Sequence, residues 1–179
     1  PDVSSAASDV YKRQVLDIGC GWGGMAAHIY KKSNANVVGV TLSEEQIAYA
    51  QQRKIREKLE KVEYRLQDYR NVNEKYDRIV SVGMFEHVGT AHYQEFFNKV
   101  YDLLNDSGVA LIHTIGRLNE PGNTDPWIDK YIFPGGYIPA LSETVSRVEK
   151  SGLSLTDVQV LRFHYAETLK RWRYNFYDN

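Results

Sequence analysis

The chain has 179 residues, enough for one domain with a substantial core and too few to call for a second. Lysine and arginine number 22 against 23 for aspartate and glutamate, which gives neither the basic excess of a nucleic-acid binder nor an acidic tail. The single Cys20 excludes an internal disulfide and a cysteine metal cluster and fits a reducing cytosol, no metal site is expected, and no apolar run approaches the roughly 20 residues that span a bilayer.

Residues 1–14 are small, polar and aperiodic, and are set apart as an artefactual leader outside a domain at residues 15–179. At Val15 the character changes. Val15, Leu16 and Ile18 form a short apolar run that ends in Gly19, Gly21, Gly23 and Gly24, and Met25, Ala26 and Ile29 then follow at helical spacing. Strand, tight turn and helix in that order make a nucleoside site, because a backbone lying against a ligand has no room for a Cβ. Gly19/Gly21/Gly24 fits a dinucleotide, and Gly19/Gly21/Gly23 fits S-adenosylmethionine. Asp17 favours the second, since a carboxylate before the turn attracts a cationic amino group and repels a pyrophosphate.

Val37 to Leu42 reads as a buried parallel strand, and Ser43 to Gln46 as a capping box opening a helix toward Lys58. A dinucleotide enzyme wants an acid at the end of that second strand, where Thr41 and Leu42 stand instead; Gln46 is left as a neutral candidate for ribose or adenine. Strands are expected at Val62 to Asp68 and Tyr76 to Gly83, with Asp68 placed to accept from an adenine amino group. Thr90 to Leu104 carries Tyr93, Phe96, Phe97 and Val100 at helical spacing, so those aromatics are core. A turn at Asn105 to Gly108 leads to a strand at Val109 to Ile115. Between Gly116 and Ala140 both periods vanish while Trp127, Tyr131, Phe133 and Tyr137 accumulate, the composition of a working loop. Ser142 to Lys150 reads as a helix, Leu153 to Arg162 as a further strand, and Glu167 to Phe176 as a last helix. Strands alternating with helices predict a doubly wound, mostly parallel α/β sheet whose ligands lie beyond the carboxyl ends of the strands.

The stretches L-D-I-G-C-G-W-G-G, V-V-G-V-T-L-S-E-E-Q, L-Q-D-Y-R, F-E-H-V-G, L-I-H-T-I-G, D-P-W-I-D-K-Y-I-F-P-G-G and H-Y-A-E-T-L together resemble the cyclopropane-fatty-acyl-phospholipid synthases, a group that includes the mycolic acid cyclopropane synthases. The resemblance runs from Val15 to about Trp172 and implies a Rossmann-like class I methyltransferase fold. It implies methyl transfer from S-adenosylmethionine to the cis double bond of an unsaturated phospholipid acyl chain, followed by ring closure with bound bicarbonate as base. It assigns Glu86, His113, the backbone of Ile115, and Tyr165 to bicarbonate, and Gly19, Gly21, Trp22, Thr41, Leu42, Gln46, Gln67 and Asp68 to the cofactor, while Tyr131 and Phe133 match residues near the acyl pocket. Taken singly, Glu86 reads as a helix cap, His113 as a strand-end histidine and Tyr165 as a half-buried aromatic; their joint match reverses that. His28, His87, His92 and His164 read as surface or packing residues.

The chain departs from the family pattern at both ends. Pro1 to Gln14 replaces a segment that supplies a bicarbonate-contacting cysteine, and Asn179 precedes a longer helix and a last antiparallel strand, so a partial domain is expected. Strands left unpaired on one side predict association into a homo-oligomer. The resemblance implies a cytoplasmic enzyme at the inner membrane face. A methyltransferase for a soluble acceptor would want a polar lid, against Trp127, Tyr131, Ile132 and Phe133, while a binding-only fragment stays open as a third reading.

Overall fold

The computed structural model describes residues 13–178; the leader expected at 1–14 lies, through residue 12, outside the described residues. Strands β1 (Gln14–Ile18), β2 (Asn36–Thr41), β3 (Val62–Leu66), β4 (Tyr76–Val82) and β5 (Leu104–His113) form one sheet in the order β3-β2-β1-β4-β5. Every pairing is parallel, with Ile18 opposite both Val40 and Ser81. The order reverses at β1, where β2 and β4 diverge to either side. Above that point the carboxyl ends of the strands open a crevice.

Alternation along the strands sends side chains to two cores. Val15, Val37, Val62 and Val80 meet Ala26 and Ala27 of α1 (Gly24–Ser33) and Ala50 of α2 (Glu44–Arg56), whose small side chains let both helices lie close to the sheet. On the opposite face Leu16, Ile18, Val40 and Ile79 meet α3 (Tyr93–Leu103), with Val148 of a later helix beside it. Phe85 stacks on Tyr93 at 4.3 Å between ring centroids and lies 5.2 Å from Phe96, a cluster that roots the end of β4 in the core. Helices on both faces of a parallel sheet make the expected doubly wound, Rossmann-like α/β fold.

Several expectations need correction. Half of the capping box forms: Ser43 Oγ accepts from the Gln46 amide at 3.2 Å, but the Gln46 side chain turns away to accept from Thr41 Oγ1 at 2.8 Å. The turn at Asn105 to Gly108 lies inside β5, looped out where the register jumps from Tyr76↔Leu104 to Arg78↔Val109. Within the aromatic loop, α4 (Pro126–Tyr131) forms because Asp125 Oδ1 accepts from the Trp127 and Ile128 amides, and a proline at the first helical position costs no hydrogen bond. Helix α5 (Leu141–Lys150) follows the loop. Leu153 to Arg162 forms no strand. An extended segment needs a neighbour for its amides and carbonyls; here Leu155, Val158 and Val160 stand exposed, and β5 remains an edge strand among the described residues. The last helix, α6 (His164–Asp178), starts three residues earlier than its apolar spacing suggested and buries none of its side chains.

Candidate functional site

The glycine turn follows β1 directly. Val40 accepts from the Gly19 and Cys20 amides at 2.9 and 3.0 Å, which bends the chain over the end of β2. Gly19, Gly21 and Gly23 all have positive φ. A Cβ on Gly19 would stand 2.6 Å from Met84 Cγ, so its absence lets the end of β4 close against the turn. Asp17 lies beneath this turn, 2 % exposed; burial pushes its carboxyl up to about 7, opposed by a hydrogen bond from the Ala26 amide, and its Oδ2 has no partner. It braces the start of α1 from below and does not line the cleft.

That cleft, about 300 Å³, opens above the switch between β1 and β4. Of the expected cofactor residues, Gly19, Thr41, Leu42, Gln67 and Asp68 line it. Gln67 donates to the Asn71 carbonyl at 3.0 Å, and Asp68 is gripped by Arg70 at 2.6 Å, which holds its carboxyl below the usual range. Gly21, Trp22 and Gln46 are not in its wall: Trp22 is 53 % exposed and meets Tyr49 edge-on at 5.5 Å, and Gln46 is occupied by Thr41. Met84, Val88, His87 and His92 do line the cleft. The sequence reading missed them, placing the two histidines on the surface or in packing. Their signal was position: Met84, His87 and Val88 surround Glu86 just past the end of β4, and His92 follows in the next turn, Thr90–His92, on the ligand edge of the sheet.

Glu86 sits in the 3-10 turn Phe85–His87 and is 9 % exposed. Its Oε1 accepts from the Ile115 amide at 2.7 Å, its Oε2 is buried without a partner, and its carbonyl accepts from the Tyr137 amide at 2.9 Å. The aromatic loop thus returns to Glu86 after 21 residues of excursion from Gly116. Arg117 helps fold it, donating to the Ile138 carbonyl at 3.0 Å. His113 ends β5 with an exposed ring, its carbonyl accepting from the Gly83 amide at 3.0 Å. Glu86 and Ile115 are therefore in direct contact, and the hydrogen bond from Gly83 holds His113 beside the end of β4. Tyr165 stands apart on α6, 48 % exposed with its ring against Trp172, and among the described residues no hydrogen bond joins it to Glu86 or His113. Tyr131 and Phe133 are exposed on the aromatic loop. Among the described residues no group of histidines, cysteines and carboxylates is arranged to hold a metal ion, and no helix is long and apolar enough to cross a membrane.

Residues 11–179 match the family model described as mycolic acid cyclopropane synthetase. A cyclopropane-fatty-acyl-phospholipid synthase of Escherichia coli is 44 % identical over 163 residues, covering 91 % of this chain and 42 % of that protein, so the chain spans less than half the length of this relative. Among solved structures, the mycolic acid cyclopropane synthase CmaA1 complexed with SAH and CTAB is 36 % identical with a TM-score of 0.81, covering 90 % of this chain and 61 % of that one. The cyclopropane synthase MmaA2 of Mycobacterium tuberculosis is 35 % identical with a TM-score of 0.80 at the same coverage. By its sequence across nearly all of its length and by its fold, the chain belongs to the mycolic acid cyclopropane synthetase family.

Proposed function

We propose that this chain is the S-adenosylmethionine-binding part of an enzyme that adds a methylene group across the cis double bond of an unsaturated phospholipid acyl chain, making a cyclopropane ring. The observation that carries the reading is the Glu86–Ile115 hydrogen bond, which leaves one buried carboxylate oxygen unpartnered beside the glycine-turn cleft of a cyclopropane synthetase family member. The residues present fit both groups. A nucleoside enters an apolar cleft walled by Met84, Leu42 and Val88 with Gln67 and Asp68 at its polar end, and Glu86 Oε2 suits a ligand with a hydroxyl to donate, such as bicarbonate.

The cofactor supplies an electrophilic methyl group on a sulfonium, and bicarbonate, when bound, supplies a base. Thr41, Leu42, Gln67 and Asp68 would hold the cofactor that supplies the methyl carbon to the alkene, and Glu86 would hold the ion that takes the proton lost on ring closure. An alkene is a weak nucleophile, so this chain's work is positioning and keeping the site dry. Glu86 accepts and orients, His113 donates and the Ile115 amide fixes Glu86, while Tyr165, matched to the same ion by the family resemblance, would complete the donor set only by moving in from its exposed place on α6. Trp127, Tyr131 and Phe133 give the loop an apolar surface for the acyl chain, with the protein working at the membrane's inner face.

A second reading rests on Tyr165, whose exposure on α6 leaves the site without its third side chain: a module that binds cofactor without turnover. Mass spectrometry of unsaturated phospholipid vesicles incubated with the chain, S-adenosylmethionine and bicarbonate separates the two. Acyl chains heavier by one methylene, absent with Glu86→Gln, support the synthase. Cofactor binding with no mass gain supports the binding module, and the same gain of one methylene with the double bond retained and no cyclopropane protons in the NMR spectrum of the product identifies a methyltransferase.

A further inference from the structure

The turn is also held from a distance by a residue with no part in the cofactor reading. Gly23 caps α1 in the left-handed conformation, with φ 76° and ψ 15°, and no side chain caps this helix. Its carbonyl accepts from the Ala27 amide at 3.1 Å and from the Tyr64 hydroxyl at 2.8 Å. Tyr64 stands on β3, two strands away from β1, and is 4 % exposed.

Two glycines mark the path of its ring. A Cβ on Gly39, in the intervening β2, would stand 3.0 Å from the Tyr64 ring, and a Cβ on Gly23 would stand 2.6 Å from its hydroxyl oxygen. The phenol therefore runs beneath the turn in a slot that side chains at either position would fill. Burial pushes its pKa up to about 12, so the hydroxyl keeps its proton to donate. A tyrosine in that slot instead of phenylalanine has one consequence. It donates a buried hydrogen bond to the carbonyl from which the turn enters α1.

We infer that Tyr64 is the positioning residue of the cofactor turn. By fixing the Gly23 carbonyl its hydroxyl sets the path of the preceding backbone, where the amides of Gly21 and Trp22 have no hydrogen-bond partner among the described residues and are free to donate to an anionic group. The inference rests on the proposed reading of the turn as the cofactor site, and it adds a residue that touches neither cofactor nor substrate.

The test is Tyr64→Phe in the full chain, compared with Val62→Ala, which removes buried volume at the start of β3 and takes no hydrogen bond from the turn. S-Adenosylhomocysteine binding is read by calorimetry and amide exchange at Cys20 to Gly24 by NMR in the ligand-free chain. Tyr64→Phe is expected to weaken binding roughly 10-fold and to speed exchange at the turn, while Val62→Ala lowers the melting temperature more but leaves both readouts near wild type. Binding within about twofold of wild type in Tyr64→Phe overturns the inference, as does an equal loss of affinity in Val62→Ala, which would reduce Tyr64 to a packing residue. Absence of binding by the wild-type chain, with turn exchange still faster in Tyr64→Phe, overturns the cofactor reading and leaves Tyr64 only a structural bond.

Discussion

The Ile115 amide donates to Glu86 Oε1 at 2.7 Å, tying the residue just past β5 to the turn that follows β4. The same carboxylate keeps Oε2 buried and unpartnered, so one oxygen is held by the fold and the other carries no hydrogen bond. Substitution tests the held one. Glu86→Gln keeps an acceptor for Ile115 and is expected to leave stability nearly unchanged, while Glu86→Ala strands the amide and costs about 1–3 kcal/mol in urea denaturation. Equal stability of the two variants would mean that the bond contributes nothing to the fold.

Asp17 predicts how stability varies with pH. Burial raises its carboxyl from 3.8 to about 7. The native chain therefore binds the proton more tightly than the unfolded chain. The contribution is fully present below about 3.8 and is lost as pH rises through about 7, an effect on the order of 4 kcal/mol at most. Asp17→Asn does not titrate, so its stability relative to wild type is expected to grow between pH 4 and pH 7 and level off above. A difference that stays constant over that range would show that Asp17 titrates alike in the native and unfolded chains, so that burial does not raise its pKa.

Much of this was legible in the sequence, for identifiable reasons. The β-branched runs of β2 and β4 and the aromatic spacing of α3 declare themselves because burial on a sheet face or a helix stripe leaves a period. Helix α4 was hidden because six residues behind a proline leave none; only Asp125 signalled it. Leu153 to Arg162 has the apolar composition of a strand, yet pairing depends on a neighbour that the segment itself does not encode. The expected strand ends put Glu86 just past β4 and His113 at the end of β5, which is where they lie in the fold, but a 29-residue separation hid the bond between Glu86 and Ile115. Tyr64 looked like one more strand residue because the partner of its hydroxyl lies 41 residues away.

The glycines of the turn are not equivalent. Gly19 combines φ +77° with a Cβ position 2.6 Å from Met84 Cγ, whereas Gly21 has φ +52° and nothing within 4 Å. Met84 lines the cleft, so Gly19→Ala both strains the backbone and pushes a wall residue aside, and is expected to abolish S-adenosylhomocysteine binding in calorimetry. Gly21→Ala carries backbone strain alone, on the order of 1–2 kcal/mol, and is expected to lower the melting temperature while retaining binding in part. Adding Met84→Gly to Gly19→Ala removes both clashing atoms, since Met84 Cβ lies 2.7 Å from the added methyl as well as Cγ at 2.6 Å, and is expected to recover some of the affinity; no recovery would place the whole effect in the backbone.

Cys20 reports whether the turn opens. The thiol is 6 % exposed, and burial, reinforced by the nearby Asp17 carboxylate, pushes its pKa up to about 12. Gly39 lies against it: a Cβ there would stand 2.9 Å from Cys20 Cβ, so the thiol is enclosed by β2 and by the Tyr64 ring on β3. A thiol that is both protonated and covered reacts only after the turn lifts away from β2, which requires breaking the Gly19 and Cys20 bonds to Val40. At pH 8 an aromatic disulfide reagent is therefore expected to label the native chain orders of magnitude more slowly than the chain in urea. Saturating S-adenosylhomocysteine should slow labelling further, because a ligand seated on the turn opposes its opening. Labelling of the native chain as fast as in urea would mean that the turn is open in solution, and an unchanged rate with bound ligand would place the ligand away from it.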